Sequence, residues 1–327
     1  MMNEDHFLNF INDPAWDAPF FKRLANNDTG NSSGNQAGFV VPIPLRQFFP
    51  ELDQGRTSPV APTVDRLLVA ELFDGSLFLG QCSTRYQFQT WGGERSPESR
   101  ITGNLGPLLN RAHGGDLLIL QRSRERTDAY RMFLIQSGSV HFETIDGLTN
   151  GERWAELYLD NPPLNQDELQ EASAMMLEEA SGPFISVRNE VPQSRLTREA
   201  IARDTAFREL LLNEYDRRCC ISELGITTGT TIEPEAAHVV GLGFGGADEP
   251  RNGFLLTRTL HWCFDQGLFG INDDRRVVVP DSVRSRPENQ WLMQFDGRII
   301  RESRSASLRT SPLAFQWHRE NLLAREE

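Results

Sequence analysis

The sequence predicts an α+β chain: a β-rich, barrel-like N-terminal domain followed by a C-terminal ββα unit. Three observations lead there. Apolar runs of strand length recur between residues 39 and 145, two of them flanking Asp74-Gly75, a hairpin signal because Asp-Gly suits the turn that strand twist prefers. Helical periodicity takes over after residue 197. A short apolar strand, a Gly-rich loop, a second short strand and a helix then follow up to Gly267.

The 327 residues, 39% hydrophobic, suffice for two ordinary domains. No apolar run approaches a membrane span. The acidic start, MMNEDHFLNFINDPAWD, lacks a basic-then-apolar signal pattern, so the expectation is a cytoplasmic protein. Cys82, Cys219, Cys220 and Cys263 form no C-x-x-C pair and no spaced framework. Neither a disulfide scaffold nor a structural zinc is expected.

The elements follow in order. Residues 1–38 read as an arm, with one helix around Trp16 to Leu24, and a linker, LANNDTGNSSGNQAG, poor in apolar residues. Residues 39–145 read as the β-rich domain. RLLVAELFDGSLFLGQC and GDLLILQRSRERTDAYRMFLIQ each form a hairpin, and SPESRITGNLGPLLNRAHGG between them reads as a loop with a short helix. Residues 146–200 read as an acidic helical connector containing ERWAELYL and QDELQEASAMMLEEA. Residues 201–327 form the last domain. Its first helix carries Phe207, Leu210, Leu211 and Tyr215 on one face. Thr257 is the expected N-cap of TRTLHWCFDQ, with Gly267 as its stop. LFGI and VVV close a hairpin.

The net charge of −13 argues at first against a nucleic-acid partner, but distribution matters more than the sum. Residues 80–135 hold eight arginines against five acids, and residues 146–199 eleven acids against four arginines. Lys22 is the sole lysine, so the positive charge is nearly all guanidinium, suited to bidentate contacts with phosphate and guanine.

Chemistry concentrates in EAAHVVGLGFGGADEPRNGFLLTRTLHWCFD, residues 235–265. A neutral imidazole at a strand end, His238, takes a proton from water near neutral pH. His261 on the following helix faces the same cleft and suits a divalent metal, while Asn252 is placed to brace the loop. Base, water and metal together are what phosphodiester hydrolysis requires.

This stretch resembles the His-Asn-His (HNH) nucleases. The neighbouring words carry the likeness as well: Arg218-Cys219-Cys220-Ile221-Ser222, Glu235-Ala236-Ala237-His238, Asn252-Gly253, Leu260-His261, Phe264-Asp265-Gln266-Gly267 and the late LAFQWHRENLL. The resemblance covers residues 205–325. It implies a ββα-metal endonuclease of restriction type with His238 as general base, Asn252 as orienting residue and His261 as metal ligand. The expected cofactor is Mg²⁺, with Mn²⁺ or Ni²⁺ as alternatives. Two departures stand out: no paired C-x-x-C zinc clips, and Ala237 where many such nucleases carry an Asp or His ligand. Glu235 lies one pleat repeat from Ala237, roughly 6.6 Å, and Asp265 one helical turn from His261. Either completes the site. His318, in contrast, reads as a packed histidine of the closing helix.

In the β-rich region Arg85, Tyr86, Gln89, Trp91, Arg95, Arg100 and Arg122 are candidate DNA contacts, with Arg251 a candidate phosphate contact in the last domain. Arg and Gln pair with base edges, and aromatic rings stack. The order of strand, Arg-rich loop, short helix and apolar strand resembles B3-like pseudobarrel domains. The expected partner is double-stranded DNA, with a possible homodimer to cut both strands. Two alternatives stay open: a nuclease acting on modified DNA, and a DNA-binding protein whose nuclease site has decayed.

Overall fold

The computed structural model describes residues 7–8, 11–13, 15–29, 38–93, 95–158, 162–187 and 198–323. The chain divides into two compact units, residues 1–167 and 168–327.

The first unit is built on one eight-stranded sheet. Its strands are β1 (Phe20–Arg23), β2 (Gly38–Val41), β3 (Thr63–Asp74), β4 (Leu77–Gln89), β5 (Glu98–Thr102), β6 (Leu117–Arg122), β7 (Ala129–Ile135) and β8 (Trp154–Glu156), in the order β2-β5-β4-β3-β7-β6-β1-β8. Among the described residues only β3 and β7 pair in parallel. Alternation explains the packing. Leu68, Ala70 and Leu72 of β3, Tyr86 and Phe88 of β4, Leu118 and Leu120 of β6 and Met132 of β7 share one buried cluster with Phe20, Phe39 and Phe49. The opposite faces of β1, β6 and β7 contribute Phe21, Leu117, Ile119, Phe133 and Ile135 to a second cluster. These strands are buried on both sides, so they read as continuous apolar runs rather than alternating ones.

Three local expectations give way here. Residues 20–23 form a strand, not a helix, because Phe20 and Phe21 fill the two clusters on opposite faces. Trp154–Glu156, within ERWAELYL, is a strand paired with β1. SRIT, placed in a loop, forms β5 and joins β2 to β4 because Ser99 and Ile101 alternate inward. The short helix there survives as α1 (Gly106–Leu109). Both predicted hairpins are present, the first turning at Gly75 with φ 57°.

Burial also reassigns several arginine-region candidates. Arg122 is 3% exposed and pairs with buried Asp17 at 2.8 Å, with a second bond to the Leu164 carbonyl. Two buried charges that satisfy each other cannot be separated cheaply, so Arg122 is a structural brace. Tyr86 packs in the core, its ring stacked 4.9 Å from Phe49. Gln89 is buried and accepts from Gln87 at 3.3 Å. None of the three presents itself to a base edge.

The second unit begins with α3 (Gln166–Ser181), whose first two residues fall on the other side of the division, after α2 (Phe142–Leu148) of the first unit. There follow α4 (Arg198–Glu214), β9 (Glu235–His238), β10 (Gly253–Leu256), α5 (Arg258–Asp265), the small hairpin β11 (Gly270–Ile271) and β12 (Val277–Val278), and α6 (Pro312–Asn321). β9 and β10 pair antiparallel and are flanked by α4 and α5. The approach of α4 is close: a Cβ on Gly253 would lie 2.5 Å from the Phe207 ring, so that position demands glycine. Helix α5 starts after Thr257 as expected, without a side-chain cap from it, and Gly267 with φ 66° ends the turn that follows.

His318 of α6 is buried, stacked 3.7 Å from the Phe264 ring, with Nε2 2.9 Å from the Phe264 carbonyl. Burial pushes its imidazole down to about 4. The unfolded chain, with an ordinary imidazole, takes up this proton below about pH 6.5, whereas the fold accepts it only near pH 4. Stability from this residue is therefore full above pH 6.5 and lost as the pH falls toward 4, by up to roughly 3 kcal/mol. Thermal melts across this window should show that loss, and His318→Gln, which keeps a donor but cannot titrate, should flatten it. An identical acid slope in the variant contradicts the assignment.

Candidate active site

The site is assembled from the short hairpin, its connecting loop and the helix after it. The register sets Gly253 opposite His238, Phe254 opposite Ala237 and Leu256 opposite Glu235. Ala237 and Phe254 are both fully buried, so the position directly before His238 is a core position here. Glu235 and His238 are half-buried at the two ends of β9.

Asn252 holds the loop. It is fully buried, and its carboxamide is saturated by backbone. Oδ1 accepts from the Val240 amide at 2.9 Å, and Nδ2 donates to the carbonyls of Val240 and Ala247, each at 2.8 Å. Every Asn252 atom able to bond does so, and it acts by bracing rather than by touching reacting atoms. Gly246 completes the turn: a Cβ there would meet the Val240 carbonyl oxygen at 1.9 Å. Gly246 is thus needed for close backbone approach.

Each histidine is engaged by carboxylate: His238 on one ring nitrogen, His261 on both. His238 Nε2 lies 3.1 Å from Asp248 Oδ1, and its ring stacks on Phe207 at 3.9 Å and 4°. Burial alone would raise the Asp248 carboxyl, but the bonds and charges of His238 and Arg203 outweigh it and hold the group below its usual range. His261 Nδ1 lies 3.0 Å from Glu235 Oε2, while its Nε2 lies 3.5 Å from Asp265 Oδ2. The hydrogen bond with His261 is the main reason the Glu235 carboxyl is held low, with Arg258 adding to it. Asp265 is pushed the other way, chiefly by burial and then by the charge of Glu235, with His261 and His238 pulling it back.

The geometry separates the two carboxylates left open by the sequence. Glu235 orients His261 from behind, through Nδ1. Asp265 sits on the Nε2 side. Among the described residues no three His, Cys, Asp or Glu side chains converge on one point. His261 and Asp265, 3.5 Å apart, could supply one imidazole nitrogen and one carboxylate oxygen to a divalent ion. Two such donors leave the rest of the ion's shell to water and substrate phosphate oxygens.

Arg251 is occupied. Its guanidinium donates to Glu249 at 2.8 Å, to the Glu179 carbonyl at 3.0 Å and to the Gly182 carbonyl at 2.8 Å. It is a brace, not a free phosphate contact. In the first unit Arg85 is exposed and paired with Asp65, and Arg100 donates to the Gly38 carbonyl and to Glu98. Arg95 lies over Trp91 at 5.1 Å. The sequence reading missed Asp248, Arg203 and Phe207. Asp248 sits in a loop whose spacing to His238 reveals nothing until Asn252 folds it back, and Phe207 had been seen only as part of an apolar face. The cysteines of the chain are free, and Cys219, Cys220 and Cys263 are buried.

The HNH endonuclease family model matches residues 219–272. A comparison with curated proteins found no match. Among solved structures, the chain is similar to the B3 domain of the UbaLAI restriction endonuclease in complex with cognate DNA, at 26% identity and a TM-score of 0.32, over 45% of this chain and 91% of that one. It is also similar to the modification-dependent TagI restriction endonuclease, at 12% identity and a TM-score of 0.29, over 91% of this chain and 80% of that one. HNH nucleases generally use a divalent metal ion. Residues 219–272, which contain His238, Asn252 and His261, are an HNH endonuclease domain.

Proposed function

We propose that the chain is a divalent-metal-dependent DNA endonuclease of restriction type, with hydrolysis in the second unit and DNA reading in the first. The observation that carries the nuclease reading is the pair of imidazoles: His238 is tied to Asp248 by Nε2, and His261 is tied to Glu235 by Nδ1 with its Nε2 toward Asp265. His238 is the general base, and Asn252 holds the loop that places it. His261 and Asp265 would hold the metal, with Glu235 orienting His261 as outer carboxylates do for ligating histidines. A bound Mg²⁺ would stabilise the charge that develops on the phosphate and the departing oxygen. Arg258, whose Nε bonds Glu235 at 3.1 Å while the side chain stays 53% exposed, supplies positive charge beside His261.

The first unit is assigned DNA reading on its surface cations. Arg95 is exposed and stacked on Trp91, whose backbone is held at φ 56°. This pairs a guanidinium with an aromatic face, a combination used on nucleic acids. Arg85, also exposed, lies on the neighbouring strand β4, whereas Arg100 on β5 is mostly buried against Glu98 and the Gly38 carbonyl.

Two experiments test these assignments. Plasmid cleavage with Mg²⁺, Mn²⁺ or Ni²⁺, on methylated and unmethylated DNA, should be metal-dependent. It should fall by about 10²- to 10⁴-fold in His238→Ala and be abolished in His261→Ala. Wild-type protein that cuts nothing under all of these conditions sinks the nuclease reading, and a His238→Ala protein that cuts normally sinks the base assignment. Separately, Arg95→Ala in the full chain should weaken duplex binding and reduce the slope of log affinity against log salt by about 1. An unchanged slope contradicts the assignment of Arg95 to DNA binding.

A further inference from the structure

We infer that Asp248 is a positioning residue for His238, selecting Nδ1 as the nitrogen that accepts the proton of the attacking water. This rests on the nuclease reading above and assigns a role within that same site.

The geometry restrains the imidazole on two sides. The flat stack on Phe207, 3.9 Å and 4°, fixes the ring plane. Within that plane the ring has two settings related by a half-turn about Cβ–Cγ, and stacking alone does not choose between them. Asp248 chooses, with Oδ1 3.1 Å from Nε2. Asp248 is itself clamped. Its Oδ2 accepts from Arg203 Nε at 3.1 Å, and its backbone carbonyl accepts from Arg203 Nη2 at 2.8 Å. Arg203 in turn meets Glu179 at 3.3 Å. The chain Glu179–Arg203–Asp248–His238 thus runs from α3 through α4 to the loop and ends at β9.

Chemistry completes the argument. An ionised carboxylate only accepts hydrogen bonds, and Asp248 is held in its ionised form. His238 must therefore carry its proton on Nε2 and present a lone pair at Nδ1. In the hydrolytic step, the water oxygen forms its bond to phosphorus while its proton passes to Nδ1. The P–O bond to the departing oxygen breaks, and its electron pair stays on that oxygen. The imidazolium so formed gains its countercharge from Asp248. The other charged groups facing His238 are Arg203, behind Asp248 on α4, and Asp265, whose charge couples to it from α5.

The test uses Asp248→Asn and Asp248→Glu in the full-length protein, with melting temperature and DNA binding measured alongside. In Asp248→Asn, kcat should fall by at least about tenfold with KM little changed. The acid limb of its pH profile should move to lower pH, because the imidazolium has lost its countercharge. Asp248→Glu should recover most of the rate and the wild-type limb. A second readout needs no activity: in protein with ¹⁵N-labelled histidine, His238 should show the Nε2–H tautomer, and this signature should weaken in Asp248→Asn. The inference is overturned by an Nδ1–H tautomer in the wild type. It is equally overturned by an Asp248→Asn protein with wild-type kcat and acid limb, or by one whose lost rate Glu does not restore. If the wild type cuts nothing, the nuclease reading falls, while the tautomer still decides whether Asp248 sets the ring.

Discussion

The buried carboxamide of Asn252 is the constraint on which the site depends. Three hydrogen bonds of 2.8–2.9 Å tie it to the backbone at Val240 and Ala247. Those bonds fold the glycine-rich loop back on the hairpin, and Asp248 follows directly after the loop's last anchor. A buried amide left unsatisfied costs about 1–3 kcal/mol per group, so the loop does not open cheaply. Gly246 permits the closure, since any side chain there would collide with the Val240 carbonyl. Position 252 therefore acts through geometry: it sets where His238 and its carboxylate meet.

From this frame the electrostatics follow. Each of the two imidazoles is polarised by a separate carboxylate. Asp248 serves the strand-end histidine, and Glu235 serves the helical one. The same chemistry has different consequences. At His238 it leaves a free lone pair for a proton, and at His261 it leaves one facing Asp265. Ala237, which looked like a missing ligand, is part of the core under the hairpin. Glu235, one pleat before it, bonds His261 Nδ1, and Asp265, one helical turn after His261, lies 3.5 Å from its Nε2.

The sequence disclosed the elements best where a single periodicity applied. The hairpin at Asp74-Gly75, the helix through Phe207 and Leu211 and the strand–loop–strand–helix order around His238 all appear where expected. It misled where residues are buried on two faces. Phe20-Phe21 serves two clusters at once, so its strand shows no alternation. Polar residues misled for a related reason. Arg122 and Arg251 looked like surface cations, but their partners Asp17 and Glu249 are buried. Only Asp17 lies far from its arginine in sequence. Glu249 is two residues from Arg251, yet what fixes that side chain includes carbonyls from α3 and its end. Asp248 was invisible for the same reason, because its significance exists only once the loop has closed.

The central claim is that the second unit binds a divalent ion at His261 Nε2 and Asp265, with Glu235 outside that shell. Anomalous diffraction from crystals soaked with Mn²⁺ tests it most directly. The account predicts a peak bonded to His261 Nε2 and an Asp265 carboxylate oxygen, with His261 Nδ1 still on Glu235. A manganese peak held by Glu235 without Asp265, or a wholly different residue set, would contradict it.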